Sequence, residues 1–314
     1  AVRLVWASLW SDAAMLYRSG MELFARGANL FLPHGMWYDP QKVRIKPLIS
    51  HFDEQVGPVL AEYNDWVGRT CLLLQGGRRV ADIGVLYPVA AMQAHARLDA
   101  VVDQPKVPGN VHPGLYVPPK TALNELSDCL TSGLRRDFTF LHPDILNDRC
   151  LVNGPILRLN NTTNYQDYRV VILPSARVVH ASNLTKIRAF CDAGGKVIVT
   201  TQVPCKSAEF GRDQEVAATV RALFGDDLAR LAKAEPYFKR TNAQGGAAYF
   251  VPTVSGPGLG AALDDAIPVP DVRFAEPGPA VGASQPVQSA AGSSAAGTAT
   301  ARGMLSYLHK VKHG

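Results

Sequence analysis

The feature that most constrains the fold is a near-continuous apolar run at residues 168–174, YRVVILP. Apolar residues at successive positions predict a strand that is buried on both faces, which is typical of parallel sheets. The helical pattern that follows, with Ser182 as its predicted N-cap, ends at Gly194-Gly195, and a second apolar run covers 196–200. Strand, helix and strand in so short a span require a right-handed parallel crossover. We therefore predict an α/β fold with an open, doubly wound sheet.

The same alternation of helices and strands recurs along the chain. Periodicity predicts helices over 11–26, 56–74, 121–134 and 214–224, and strands over 28–33, 81–87, 138–141, 247–251 and 269–274. A hairpin turning at Asn153-Gly154 is predicted within 150–159. Sheet and helices together indicate a large mixed α/β chain.

Composition excludes two classes of protein. Of the 314 residues 47% are hydrophobic and 19% are charged, but no apolar run reaches the roughly 20 residues of a membrane-spanning helix. Lys and Arg (32) exceed Asp and Glu (27) by five, and this surplus is spread along the chain without a dense basic block. We therefore predict neither a membrane nor a nucleic-acid partner.

The end of the chain changes character. Residues 276–303 are almost wholly Ala, Gly, Ser, Pro, Thr and Gln, a composition that cannot offset its own ordering entropy and predicts a flexible linker. Residues 304–312 then alternate with period two, as an antiparallel strand does. Because both ends of the chain read as folded structure, we expect a segment of a longer protein.

The motifs of several enzyme classes are missing. Gly76-Gly77 follows a helix and precedes a strand, so it predicts a helix end rather than a phosphate loop, with Arg78 and Arg79 facing the negative end of the helix dipole. The five cysteines are isolated, which indicates no zinc site and no Gly-x-Cys-x-Gly nucleophile turn. A Gly-x-Ser-x-Gly turn is also missing. We predict no metal and no cofactor.

One loop carries side chains suited to a sugar. His34, Trp37, Tyr38 and Asp39 follow the strand predicted at 28–33, and His51 comes soon after. Aromatic faces stack on sugar rings and polar groups bond the hydroxyls, so these five residues are the candidate substrate-binding site. The alternative is structural, because Asp39-Pro40 is also a turn signal.

Three strings together resemble one family. Residues 26–29 (RGAN), the helix over 62–74 and residues 77–88 (GRRVADIGVLYP) are similar to large glycoside hydrolases of the α-L-rhamnosidase type. The same succession occurs more loosely in β-galactosidases whose barrel precedes a trimerisation domain. The resemblance implies that residues 1–54 are the last elements of a (β/α)₈ barrel. It also implies a class I glutamine-amidotransferase-like (flavodoxin-like) domain without its nucleophile at 55–275, a linker at 276–303, and the first strand of a β-sandwich at 304–314.

The resemblance also implies a function. It predicts hydrolysis of glycosidic bonds in a plant or microbial polysaccharide or oligosaccharide, with the catalytic acid and base upstream of Ala1 and this segment inactive alone. It places His34 at the carboxyl end of a barrel strand, where barrel active sites are built. The structural alternative there is that Trp37 and Tyr38 plug the end of the barrel. The implied partners are a carbohydrate substrate and further copies of the chain, joined through the auxiliary domain. The alternative is a non-catalytic carbohydrate-binding or assembly module.

Overall fold

The computed structural model describes residues 2–5, 13–33, 39–42, 50–95, 122–272 and 310–311. The amino-terminal elements are β1 (Val2–Val5), α1 (Ala13–Ala25), β2 (Leu30–Pro33), α2 (Leu60–Leu74), β3 (Arg78–Arg79), β4 (Ile83–Leu86), α3 (Val89–His95), α4 (Leu123–Asp128), β5 (Phe138–Leu141) and α5 (Pro143–Arg149). Then follow β6 (Cys150–Asn153), β7 (Ile156–Leu159), β8 (Gln166–Tyr168), β9 (Val170–Leu173), β10 (Val178–Val179), α6 (Ala181–Asp192), β11 (Lys196–Thr200), β12 (Lys206–Ser207), α7 (Asp213–Phe224), β13 (Phe238–Thr241), β14 (Ala247–Val251), α8 (Gly258–Ala266) and β15 (Lys310–Val311).

The main sheet has six strands among the described residues, in the order β13-β14-β11-β9-β4-β5. All neighbours pair in parallel except β13, which runs antiparallel to β14 at one edge. Numbered along the chain, the five parallel strands stand in the order 2-1-3-4-5, one of the two common orders of doubly wound sheets. The predicted parallel α/β sheet is confirmed.

The side chains of strand β9 contribute to the hydrophobic cores on both faces of the main sheet. Val170 and Ile172 join the core under α4 and α8, whereas Val171 and Leu173 join the core under α5, α6 and α7. All four side chains are fully buried. A strand covered by helices on both faces has no solvent side, which explains its unbroken apolar sequence.

The structure divides the apolar run at 168–173. Tyr168 belongs to β8, in an antiparallel sheet with β6 and β7, and only Val170–Leu173 forms the central strand. The Tyr168 hydroxyl shares a 2.7 Å hydrogen bond with Thr139 Oγ1, so this buried ring has a polar partner on β5. The predicted hairpin of β6 and β7 is present, but it turns at Gly154-Pro155, one residue later than predicted, because Asn153 still pairs with Ile156; Gly154 has a φ of +56°.

Two local predictions were wrong. Helix α6 has His180 as its N-cap, and Ser182 lies inside the first turn, where its amide donates to Glu209 Oε2 at 3.2 Å. A carboxylate from a distant turn thus replaces the predicted hydroxyl cap. Residues 269–272 of the strand predicted over 269–274 are not in strand conformation, and 273–274 lie outside the described residues.

The amino-terminal elements form a third core. Strands β1 and β2 pair in parallel, with α1 between them in the chain. Helix α1 packs against α2 through aromatic rings: Tyr17 and Tyr63 lie 5.3 Å apart between centroids, and Phe24 lies 5.5 Å from Trp66 and 4.3 Å from Phe31. This cluster joins residues from both sides of the boundary predicted at 54/55, and the domain limits stay a prediction.

Little of the carboxyl-terminal region is described. Lys310–Val311 pairs antiparallel with Arg78–Arg79, in agreement with the antiparallel strand predicted there. The linker predicted at 276–303 lies outside the described residues. None of the described helices has the length and apolar character that crossing a bilayer requires.

Placing a charge in β9 tests the two-core architecture. Ile172→Asp buries a carboxylate among apolar neighbours and should lower the free energy of unfolding by more than about 4 kcal/mol. The control is Leu73→Asp on α2, whose side chain is 71% exposed; it should cost about 1 kcal/mol or less. Urea denaturation measures both, and equal losses would contradict the assigned burial.

Candidate functional site

The structure covers part of the site predicted from sequence. His34, Trp37 and Tyr38 lie outside the described residues. His51 is exposed in a turn, with its ring 3.9 Å from that of Phe52 between centroids. Among the described residues, Asp39 contacts Gln41 and Lys42, and His51 contacts Phe52. None of these contacts joins Asp39 to His51.

Asp39 shapes its own turn. One carboxylate oxygen accepts the Gln41 amide at 2.9 Å, and the other lies 3.3 Å from Lys42 Nζ. Both contacts belong to the short helical turn at Pro40–Lys42. The turn signal weighed for Asp39-Pro40 is therefore realised in the structure.

The crevice where doubly wound sheets usually bind ligands is filled. Ligands of such sheets bind beyond the carboxyl ends of the strands where the strand order reverses, here between β4 and β9. The cavity at that point is about 10 Å³, room for a single water, and is lined by Pro88, Pro174 and Asn183 among others. Asn183 donates to the Pro143 carbonyl at 2.7 Å, and its buried Oδ1 has no protein partner. We therefore assign no ligand site to this crevice.

The buried thiols are not activated nucleophiles. Burial raises the pKa of Cys150 and of Cys191 to about 11, because a thiolate is poorly solvated in an apolar core. Burial also raises the pKa of Cys129. Within the described ranges, no three His, Cys, Asp or Glu side chains are grouped to hold a metal ion.

A larger cleft lies along β5, the edge strand of the main sheet within the part of the chain that the structure describes. It has a volume of about 460 Å³, within the range of small-molecule sites, and sits between strand β5, helix α4 and the carboxyl end of α1. Ten of its thirteen lining residues have polar side chains; the lining comprises Ala25, Arg26, Arg79, Asn124, Ser127, Asp128, Thr131, Arg135, Arg136, Asp137, Phe138, Thr139 and Phe140. We call it the β5 cleft.

An ion pair between Arg79 and Asp137 forms one wall of the β5 cleft. The guanidinium binds both carboxylate oxygens, through Nε at 3.0 Å and through Nη2. Its third nitrogen, Nη1, donates to the carbonyl of Arg26 at 3.2 Å. Arg79 was predicted to face the dipole of α2, but it crosses to α1 and β5 instead. Arg78 lies over the ring of Tyr165, 4.1 Å from its centroid.

Gly27 makes this arrangement possible. It ends α1 with a φ of +95°, and a Cβ built there would lie 2.8 Å from Arg79 Nη1. A side chain at this position would therefore displace the guanidinium from the Arg26 carbonyl. The glycine is needed both for its left-handed conformation and for the close approach of Arg79.

Two further arginines of the cleft are held by carboxylates. Arg26 lies 2.8 Å from Glu22 and 3.5 Å from Asp128. Arg136 pairs with Asp264 on α8. Anchored guanidinium groups keep a fixed geometry, which lowers the entropy lost when a ligand binds.

The buried carboxylate of the cleft, Asp137, is occupied by its ion pair with Arg79. Burial raises the pKa of Asp137, although its bonds to Arg79 and to the Phe138 amide oppose the rise. Burial likewise raises the pKa of Asp82, and the nearby Arg169 opposes it. Because Asp137 is engaged with Arg79 through both oxygens, the cleft offers binding groups rather than an acid and base pair. Sequence reasoning missed this site because its residues come from four separate elements.

Comparison with known proteins gives structural relatives only. No family model and no curated protein matches the sequence. Among solved structures, a rhamnosidase from Novosphingobium sp. PP1Y is 18% identical with a TM-score of 0.48. The match covers 84% of this chain and 22% of the rhamnosidase chain. A β-galactosidase from Rahnella sp. R3 is 14% identical with a TM-score of 0.54, over 84% of this chain and 44% of its own. A β-galactosidase from Bacillus circulans sp. alkalophilus is 12% identical with a TM-score of 0.50, and the match covers 81% of this chain and 41% of the β-galactosidase chain.

The chain therefore spans less than half the length of each of these relatives. At such identities the likeness concerns the fold, and the two β-galactosidases carry that conclusion. The chain has a fold similar to part of a glycoside hydrolase.

Substitution of Gly27 tests the close approach of Arg79. Gly27→Ala should cost about 1 to 2 kcal/mol for its positive φ and about 1 kcal/mol more for the bond lost from Arg79 to the Arg26 carbonyl. Gly76→Ala is the matched control: it also has a positive φ (+66°) after a helix, but nothing lies within 4 Å of its Cβ. Chemical denaturation of both variants measures the loss in free energy of unfolding. Equal losses would contradict the contact between Arg79 and the end of α1.

Proposed function

We propose that the chain is a segment of a glycoside hydrolase. Residues 1–54 are the last elements of its (β/α)₈ barrel, and residues 55–275 form a glutamine-amidotransferase-like auxiliary domain that has lost its nucleophile. The observation that carries the proposal is the fold shared with the Rahnella β-galactosidase over 84% of this chain, at a TM-score of 0.54. The resemblance of the strings 26–29 and 77–88 to the α-L-rhamnosidase type supports that finer assignment.

The amino-terminal unit supports a barrel origin. Elements β1, α1 and β2 form a strand-helix-strand unit with parallel strands, which is the repeating unit of such barrels. On β2, Leu30 and Leu32 are 38% and 48% exposed. Because strands of parallel sheets are covered on both faces, these leucines are suited to a larger sheet than the pair described here.

We assign roles within this proposal. The catalytic acid and base come from barrel strands outside this chain, and His34, Trp37, Tyr38, Asp39 and His51 bind the sugar. Aromatic rings stack on the sugar face, and imidazole and carboxylate groups bond its hydroxyls. The substrate is a rhamnose-containing polysaccharide or oligosaccharide, and the auxiliary domain joins further copies of the chain.

A second candidate function is a non-catalytic carbohydrate-binding or assembly module. The observation that favours it is the chemistry of the β5 cleft, which has hydroxyl, amide, aromatic and guanidinium groups but holds Asp137 in an ion pair. This candidate predicts binding without turnover in the full-length protein. The glycosidase proposal predicts turnover there and none in the 314-residue chain alone.

Kinetics of the full-length parent protein test the assignment of His34. His34→Ala should lower kcat/KM on nitrophenyl α-L-rhamnoside about ten- to a thousandfold, equivalent to about 1.4 to 4 kcal/mol, with the melting temperature nearly unchanged. The control, His142→Ala, removes an exposed imidazole whose Nδ1 accepts the Asp144 amide on α5, and should leave the kinetics unaltered.

Several outcomes would contradict the proposal. Unaltered kinetics in His34→Ala would remove His34 from the site, and parallel loss of stability and activity would favour a plug at the barrel end. Hydrolysis of a β-galactoside but no rhamnoside would reject the rhamnosidase type. A full-length protein inactive on both would reject the glycosidase reading, and activity in the 314-residue chain alone would reject the segment reading.

A further inference from the structure

We propose that the β5 cleft binds an acidic saccharide, a sugar ring that carries a carboxylate. The choice of a saccharide rests on the proposed function, whereas the choice of an acidic one rests on the side chains of the cleft. The site is built from residues other than the predicted sugar-binding set and needs no catalytic group. It would hold a uronate unit of a polysaccharide while the bond to be cleaved lies elsewhere on the same chain.

The lining of the cleft is rich in arginine. Four guanidinium groups face two carboxylates there, from Arg26, Arg79, Arg135 and Arg136 against Asp128 and Asp137. Glu22 and Asp264 orient two of these arginines from positions outside the lining. Each guanidinium has five N–H donors, and the contacts of Arg26, Arg79 and Arg136 occupy only some of them. A ligand carboxylate can therefore be bound by donors whose geometry is already fixed.

The remaining lining groups suit a sugar ring. Phe140 is 47% exposed, and its ring is braced edge to face by Phe138 at 5.2 Å and Tyr87 at 5.4 Å between centroids. Ser127 and Thr131 donate their hydroxyl hydrogens to helix carbonyls at 2.7 and 2.8 Å. Their oxygens keep acceptor capacity for sugar hydroxyls, and a braced aromatic ring offers an apolar face to the sugar.

The carboxyl-terminal segment, residues 273–309, has few acidic side chains that could bind the arginines of the cleft in place of a ligand. Between residues 273 and 309 the sequence contains one acidic residue, Glu276, so that segment has no cluster of carboxylates to place among four arginines. Strand β5 has only four residues, which limits the backbone ladder that an added peptide strand could form. Both observations favour a small anionic ligand over a peptide.

Calorimetric titration of the 314-residue chain tests the proposal directly. The probe is α-1,4-digalacturonate, and its neutral counterpart is α-1,4-galactobiose. We expect saturable binding of the acid, weakened by salt, and at least tenfold weaker binding of the neutral sugar. Arg26→Gln removes one anchored guanidinium and should weaken binding of the acid about tenfold, the usual scale of a charge-assisted hydrogen bond.

The matched control is Arg69→Gln. Like Arg26, Arg69 pairs with an acid four residues earlier, Asp65 at 3.4 Å, but it lies on α2 and is not among the residues that line the cleft. This variant makes the same change in net charge and should bind digalacturonate as the parent chain does. Circular dichroism melting of both variants verifies that each is folded.

Four results would overturn the proposal. These are no binding of digalacturonate at millimolar concentrations, equal binding of galactobiose, equal weakening by the two substitutions, and equal binding of succinate, an anion without a sugar ring. Tighter binding of an acidic peptide would reassign the cleft to a protein partner. The titration measures binding and the proposed function is tested by turnover. A failure of the binding proposal is therefore distinguishable from a failure of the glycosidase proposal.

Discussion

The ion pair of Arg79 with Asp137 connects three parts of the fold, because Arg79 lies on β3, Asp137 directly precedes β5 and the Arg26 carbonyl follows α1. Its guanidinium reaches the edge strand β5 through Asp137 and the end of α1 through the Arg26 carbonyl. The carbonyl of Arg79 itself accepts Gln166 Nε2 at 2.5 Å, which ties in the antiparallel sheet of β6, β7 and β8. Partly buried ion pairs contribute little net stability because desolvation opposes the attraction, but they strongly disfavour arrangements in which one partner is lost. The pair therefore fixes how the amino-terminal unit meets the main sheet.

This contact joins two distant sequence strings. Arg26 and Gly27 belong to the first string and Arg79 to the second, and Arg79 Nη1 donates to the Arg26 carbonyl at 3.2 Å. The two strings therefore meet at one physical junction in this chain. The same junction supplies a wall of the β5 cleft, so the residues that join the two units also provide its charge. Structure and proposed binding chemistry depend on the same side chains.

Patterns that depend on near neighbours were predictable from sequence. Burial on both faces shows directly in the unbroken apolar runs of β9 and β11, and the hairpin turn shows, to within one residue, in Asn153-Gly154. Contacts between distant positions left no such signal: Glu209 replaces Ser182 at the start of α6, and Asp137 is 58 residues from Arg79. The β5 cleft was missed for this reason, since charge pairing across elements has no sequence period. Of the predicted sugar site, Asp39 shows only the local turn that its sequence signals.

A double-mutant cycle between Arg79 and Asp137 tests the central claim most directly. The free energies of unfolding of Arg79→Met, Asp137→Asn and the double variant are compared with that of the parent chain at pH 7. If the pair fixes the junction, each single variant should lose about 3 kcal/mol and the coupling energy should be about 2 kcal/mol or more, because removing either partner strands the other. A coupling energy below about 0.5 kcal/mol, the range expected for independent sites, would contradict the account.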